Sequence, residues 1–320
     1  MTSPLPATCW VIHDGAAGNR RQAMALANAL GLSCREWNLK ARGPAKLLAP
    51  RDFPGSGAAF GDEFAVALQH APPALAIGCG RIAALATRQA RAAGARSVQI
   101  LDPRIPADHW DLVIAPEHDG LSGPNVITLV GSLNPVDAAW LYRARGQFPR
   151  LGASPRPRTA VLLGGPTRAT RFDRSALDSL LDKLDAWLAR EAGSALICGS
   201  PRTPAEWAGP VRDRYRGEAH LVWMDRDDGD NPYPGVLAWA DRIIVSPDSV
   251  NMISEACATA APVFVAEPDR ATGRIRKFIQ SLQSRGRVRA LTGDGAPFDA
   301  APLDETRRIA ALVRERLSLR

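Results

Sequence analysis

The chain has 320 residues, 46% of them hydrophobic, and a formal net charge of +7. That is enough length and apolar content for two domains with substantial cores, which excludes a disordered or solely disulfide-stapled chain. No run reaches the ~20 apolar residues of a membrane-spanning helix and no signal-peptide pattern opens the chain, so a cytoplasmic protein is expected, at most peripheral to the inner membrane.

In chain order, residues 10–12 read as a buried strand, followed by the loop His13-Asp14-Gly15-Ala16-Ala17-Gly18-Asn19. A helix over 20–30 places Ala23, Leu26, Ala27 and Leu30 on one face, with Gly31 as its cap. The loop lacks G-x-G-x-x-G and is no dinucleotide fingerprint. Its glycines suit a tight strand-to-helix turn, and Asp14 and Asn19 suit caps. Residues 39–61 carry Pro and Gly without periodicity and read as a long connection.

Strands are expected at 75–77, 97–101, 112–114 and 126–129, with an alanine-rich helix over 81–93. Strands alternating with helices or turns argue for a parallel sheet with ligands at the strand C-terminal ends. Three such ends carry polar groups: Arg81, then Asp102 and Arg104, then Glu117, His118 and Asp119. A lone histidine is more often structural, but His118 beside Asp119 at a strand end is a proton-transfer candidate.

The stretch F-P-R-L-G-A-S-P-R-P-R over 148–158 is the best linker in the chain, so the domain boundary is placed at 150. A second series opens with a strand at 159–163 and the loop Gly164-Gly165-Pro166-Thr167, whose amides can approach an anion closely. An amphipathic helix over 172–190 and a strand at 195–198 lead to the polar turn Gly199-Ser200-Pro201-Arg202-Thr203. A strand at 221–223 precedes an acidic loop with Asp225, Asp227, Asp228 and Asp230, whose spacing is no EF-hand; no metal is expected. Asn231, Pro232 and Tyr233 open the next helix.

Residues 242–245 form a β-branched run, Ser246-Pro247-Asp248-Ser249 a turn rich in cap residues, and 250–259 a helix that Pro262 ends. The turn collects free amides, a positive helix end and two hydroxyls, which suits a phosphate. Glu255, further along that helix, could accept hydrogen bonds from a ribose diol, where the plain alternative is a well-capped helix with a solvated glutamate. Residues 270–289 are strongly basic and read as a solvated helix, and the last helix, 305–317, carries Ile309, Leu312, Val313 and Leu317 on one face.

The string S-x-x-S-x-x-M-x-S-E-A-x-A-x-x-x-P-V resembles the donor-sugar motif of two-domain, GT-B-type glycosyltransferases, matched at Ser246, Ser249, Met252, Ser254, Glu255 and Pro262. The longer N-P-Y-x-G-x-L-A-x-A-D-x-I-I-V-S-x-D-S-V-x-M-I-S-E-A, from Asn231, resembles bacterial relatives of the plant elongated-mitochondria fission factor. D-G-x-x-G-N-x-x-Q at Asp14 to Gln22, and the C-G-R, D-P-R and P-x-H-D pieces, resemble the same group. One position departs: that group has glycine where Ala260 stands, and alanine takes the left-handed cap at higher cost.

The resemblance implies two Rossmann-like α/β domains facing a cleft, each with a parallel sheet, over 1–150 and 151–302, with 303–320 returning to the first. It implies transfer of a sugar from a nucleotide donor, UDP-linked by analogy, to an envelope glycan or lipid-linked acceptor, with inversion favoured and no cofactor beyond the co-substrate. Donor contacts would come from Gly164, Gly165, Thr167, Ser200, Arg202, Asn231, Tyr233, Ser246, Asp248, Ser249, Met252, Ser254 and Glu255. Asp14, or His118 with Asp119, would take the acceptor proton. Gly15, Gly18, Asn19, Gln22, Arg81, Asp102 and Arg104 would line the acceptor side. Two other readings stand beside this one: a non-catalytic, membrane-associated scaffold, and a sugar-nucleotide epimerase.

Only four of the 40 basic residues are lysine, an arginine bias suited to a GC-rich bacterial genome, and no nucleic-acid motif accompanies it. Cys9, Cys34, Cys79, Cys198 and Cys257 are scattered, without C-x-x-C or zinc spacing, and read as free thiols.

Overall fold

The computed structural model describes residues 9–293 and 295–319. The chain divides into two compact units: one runs up to Pro135 and resumes at Glu305, the other is Val136–Asp304.

The first unit holds a six-stranded sheet, β1 (Cys9–His13), β2 (Cys34–Asn38), β3 (Leu75–Cys79), β4 (Arg96–Ile100), β5 (Leu112–Pro116) and β6 (Val126–Leu129). All neighbours are parallel and the order is β2-β1-β3-β4-β5-β6. Both faces are covered: Cys9 and Val11 enter one core with Leu26, Ile309 and Val313, while Trp10 and Ile12 enter another with Trp37, Phe64 and Leu85. This two-sided burial explains why the strands read as continuous apolar runs. The final helix, Glu305–Leu317, is anchored here by Thr306, whose hydroxyl donates to the Asn134 carbonyl (2.8 Å).

The second unit holds β7 (Arg158–Leu162), β8 (Ser194–Cys198), β9 (Leu221–Trp223), β10 (Arg242–Val245), β11 (Val263–Val265) and β12 (Val288–Ala290). They form a second parallel sheet in the order β12-β11-β10-β7-β8-β9. In each sheet the winding reverses once, at β1/β3 and at β7/β10. In open α/β sheets, ligands bind outside the strand ends at such a reversal.

Three sequence expectations need correction. β2 and β12 were not anticipated: β2 (C-R-E-W-N) is an edge strand with only Trp37 buried, and β12 has only Val288 buried, so neither shows an apolar run. The break does not fall at 150. The helix Ala138–Gln147 belongs to the second unit, and residues 148–158 are packed: the Trp239 indole donates to the Phe148 carbonyl (2.9 Å), and buried Arg158 donates to the Gly152 carbonyl (2.6 Å). Pro149, Arg150, Pro155 and Arg156 are exposed as their composition suggests, but Arg158 is buried with its guanidinium 5.4 Å from the Trp239 ring. Finally, the basic stretch 270–289 is not simply a solvated helix. The helix Gly273–Ser284 buries Ile275, Phe278, Ile279 and Leu282, and Arg287 beyond it is buried.

Candidate functional site

At the reversal of the first sheet, β1 delivers His13 and Asp14. Gly15 has φ +88°, and a Cβ there would stand 3.0 Å from the Asn38 side-chain oxygen, so glycine is needed. Asp14 Oδ1 accepts from the Ala16 amide (3.0 Å) and from Asn19 Nδ2 (3.0 Å). Asp14 is therefore not the cap of the helix Ala17–Ala29, whose N-cap is Ala16 without a side-chain bond; it ties the loop to Asn19, with Gly18 in the first turn. Asn19 crosses to β3, where its Oδ1 lies 3.6 Å from Cys79 Sγ. Gly80 (φ +88°) leaves the room, since a Cβ would come within 2.4 Å of the Asn19 amide nitrogen.

His13 was not among the expected site residues. It is buried, its Nδ1 accepts from the Gly15 amide (3.0 Å), and its Nε2 lies 2.9 Å from Glu36 Oε1. Nε2 therefore carries the proton and donates to Glu36. Arg20, and then His13, hold the Glu36 carboxyl down at about 2. With both ring nitrogens engaged, His13 braces the Asp14 loop and has no free nitrogen for a substrate. Its signal was legible only as H-D-G after a strand, with a glutamate on the next.

The other expected first-domain residues do not gather at Asp14. Arg81 braces residues 46–49, donating to the carbonyls of Lys46 (2.7 Å), Leu47 (3.2 Å) and Ala49 (2.8 Å). Gln22 is buried inside its helix. Asp102 and Arg104 pair with each other (3.2 Å) in a loop where Leu101 (φ +74°) and Arg104 (φ +64°) are left-handed, a conformation costing about 1–3 kcal/mol in a non-glycine residue. His118 and Asp119 stand on a turn after β5. Burial lowers His118, against the pull of Asp119 and Glu117. Burial raises Asp119, which His118 opposes and Asp102 reinforces. Asp102, Arg104, His118 and Asp119 are thus one electrostatic group at the β4 and β5 ends, while Asp14 and Asn19 sit at β1 and β3.

In the second unit the expected residues do converge. At the β7/β10 reversal, Ser246 Oγ accepts from the Gly164 amide (2.7 Å) and donates to Asp248 Oδ1 (2.6 Å). Arg202, from the turn after β8, pairs with Asp248 Oδ2 at 2.6 Å; the Asp248 side chain is 0% exposed and that of Arg202 50%. A Cβ on Gly164 would meet the Asp248 carboxylate at 2.1 Å, and one on Gly165 the Arg202 carbonyl oxygen at 2.0 Å. The glycine pair therefore lets three loops close on one another, and the space beside it is filled by protein. Thr203, the last residue of the polar turn after β8, pins that turn by donating to the Leu163 carbonyl (2.8 Å) and accepting from the Ser200 amide (2.8 Å). Thr167 closes a small turn on Thr170 (3.0 Å).

The helix Val250–Cys257 starts here. Its cap is Ser249, which accepts from the Met252 amide (3.3 Å). Of the cap residues in that turn Asp248 does not cap the helix; its carboxylate is held by Arg202 and Ser246. Ser254 donates back to the Val250 carbonyl (2.7 Å). Glu255 is 1% exposed, not a solvated side chain, and Tyr233 Oη donates to its Oε2 at 2.5 Å. Asn231 accepts from the Tyr233 amide (2.9 Å) and so sets the start of Tyr233's helix. A cavity of ≈780 Å³ opens beside this group at the ends of β8 and β9, lined by Gly199, Ser200, Thr203, Trp223, Asp225 and Asn231. Among the described residues no cluster of three or more His, Cys, Asp or Glu is placed to hold a metal ion. No helix among them is long and apolar enough to cross a membrane.

Residues 17–317 match the family model described as mitochondrial fission ELM1. The chain belongs to that family. Mitochondrial fission protein ELM1 of Arabidopsis thaliana is 31% identical over 278 residues, 78% of this chain and 65% of the relative, so the chain spans just under two thirds of that protein's length. An uncharacterized protein of Rickettsia prowazekii is 25% identical, covering 97% of this chain and 98% of its own. Among solved structures, Acinetobacter baumannii MurG aligns with TM-score 0.51 and 14% identity over 98% of this chain and 92% of its own. A UDP-glucosyltransferase from Polygonum tinctorium aligns with TM-score 0.53 and 12% identity over 98% and 90%. At such identities the likeness is one of fold. The two parallel sheets of this ELM1-family chain are those of GT-B glycosyltransferases, as the motif of Ser246 to Pro262 implied.

Proposed function

We propose that this ELM1-family chain is a GT-B-type glycosyltransferase that draws its sugar from a nucleotide-activated donor bound by the second unit. The observation carrying the reading is the convergence of Gly164, Ser246, Asp248, Arg202 and the capped helix Val250–Cys257 at one sheet reversal. A helix N-terminus favours an anion, and its first amides have no intrahelical partner. Arg202 is half exposed, so it can keep its bond to Asp248 and turn further N–H groups to a phosphate. The cavity beside Ser200 and Asn231 is of a size to take a nucleobase.

In the reaction, the bond between the anomeric carbon and the diphosphate oxygen breaks while the acceptor oxygen bonds to that carbon. Negative charge grows on the diphosphate, where the helix end and Arg202 stabilise it more in the transition state than in the ground state. The acceptor proton passes to a carboxylate; Asp14 is the first candidate, and His118 with Asp119 the second. Inversion is the outcome expected by analogy of fold. Because one solved neighbour is a UDP-glucosyltransferase, uridine donors are tested first, and an envelope glycan or lipid-linked sugar is the acceptor class.

The deciding experiment is a thermal-shift screen with UDP-, GDP-, dTDP- and CMP-sugars, followed by product analysis. A cognate donor at a hundredfold excess over Kd should add about 2.7 kcal/mol of apparent stability. A second reading, a non-catalytic scaffold, is favoured by one observation: Glu255 is sealed beneath Tyr233. Absence of a shift with every donor would support the scaffold and remove the transferase.

A further inference from the structure

We propose that Leu47 and Leu48 form a docking tip that seats the first unit on an anionic lipid bilayer. The two residues close the short helix Ala45–Leu48 and are 87% and 42% exposed. Scattered exposed apolar side chains are ordinary, but an adjacent pair held outward is not.

The tip is held. The Arg81 guanidinium donates to the carbonyls of Lys46, Leu47 and Ala49, and Arg88 donates to that of Pro50 (2.7 Å). Four hydrogen bonds from two buttressing arginines thus fix the backbone on which the exposed Leu47 and Leu48 stand. A merely tolerated loop would leave such carbonyls to solvent.

Every charged residue of the segment 40–51 is a cation. Lys40, Arg42, Lys46 and Arg51 lie in the same segment, are exposed, and form no ion pair among the described residues. The first acid beyond them, Asp52, is engaged by the Phe53 amide and the Ser56 hydroxyl. Apolar side chains that enter the headgroup region, surrounded by cations that meet anionic lipid, are the requirements of an interfacial anchor. A protein partner needs roughly 800 Å² on each side for a stable interface, far more than two leucines present. This inference is independent of the nucleotide site.

The test is vesicle co-flotation of the full chain. Vesicles of phosphatidylcholine with phosphatidylglycerol should carry the protein up, and phosphatidylcholine alone should not. Leu47→Ser with Leu48→Ser should reduce the bound fraction at least tenfold, with unchanged circular dichroism because both side chains are exposed. Lys46→Gln with Arg51→Gln should weaken binding severalfold and flatten its salt dependence. Equal flotation of wild type and the leucine variant, or none on anionic vesicles, would overturn the proposal. So would a dimer, seen in sedimentation, that the leucine variant dissolves, since the tip would then belong to a second copy.

Discussion

Tyr233 covers Glu255. The tyrosine hydroxyl lies 2.5 Å from the buried carboxylate, 22 residues away in sequence, on the helix that begins at the candidate phosphate site. A ribose bound by Glu255 must compete for an oxygen that Tyr233 already holds. If the carboxylate serves the nucleotide, Glu255→Ala should weaken donor binding at least tenfold in calorimetry. Tyr233→Phe should lower folding stability by about 1.5–3 kcal/mol, the range for a bond to a charged group, while leaving the nucleotide site more accessible. Equal affinity in wild type and Glu255→Ala would make the pair purely structural.

Gly164 is the hinge of the second site. A methyl group there would overlap the Asp248 carboxylate, so Gly164→Ala should push Asp248 off Arg202 and Ser246. The expected loss is about 1–3 kcal/mol from overpacking, read in urea denaturation, together with lost nucleotide affinity. Gly146→Ala is the control: nothing lies near its absent Cβ, it is helical, and a gain of up to about 1 kcal/mol is expected. Equal effects of the two changes would refute the packing account of Gly164.

Arg287 supplies the cap that Ala260 cannot. Its guanidinium donates to the carbonyls of Cys257 (3.0 Å), Thr259 (2.8 Å), Ala256 (3.3 Å) and Ala261 (3.3 Å), at the end of the helix carrying Glu255. Ala260 is not among the residues with positive φ, so no left-handed turn is made there. Arg287→Leu takes the donor from the Thr259 and Ala261 carbonyls, while those of Cys257 and Ala256 keep the Leu303 amide and Thr259, and should cost about 3 kcal/mol by denaturant unfolding. Adding Ala260→Gly should restore little of it. Full rescue by the glycine would show that the two caps are interchangeable.

Asp14 and His118 make different predictions for proton transfer. With Asp14 as base, Asp14→Asn should leave donor affinity near wild type and abolish most turnover, while His118→Ala changes it little. With His118 as base, burial places its titration below the usual 6.5. It is then neutral and competent at neutral pH, and kcat/KM should fall only as pH drops through that lowered value. A pH profile of each variant separates the two.

Much of this fold is determined locally. Runs such as Leu75–Cys79 and Arg242–Val245 specify strands because both faces are buried, and S-P-D-S before an amphipathic stretch specifies where a helix starts. The last helix is legible at both ends, since Glu305–Leu317 shows its apolar face without reference to anything else. Those patterns also mark Gly164, Ser246 and Arg202 as strand-end groups. Only the tertiary structure decided what these groups do. Arg202 meets Asp248 across 46 residues, Arg287 meets Cys257 across 30, and Arg81 turns to a loop 35 residues upstream rather than to Asp14. β2 and β12 exist because neighbouring strands leave edges to pair, not because their own residues alternate. A side chain's neighbours along the chain set its backbone, but a guanidinium or carboxylate goes where distant loops bring it a partner. That partnership is a property of the sheet order.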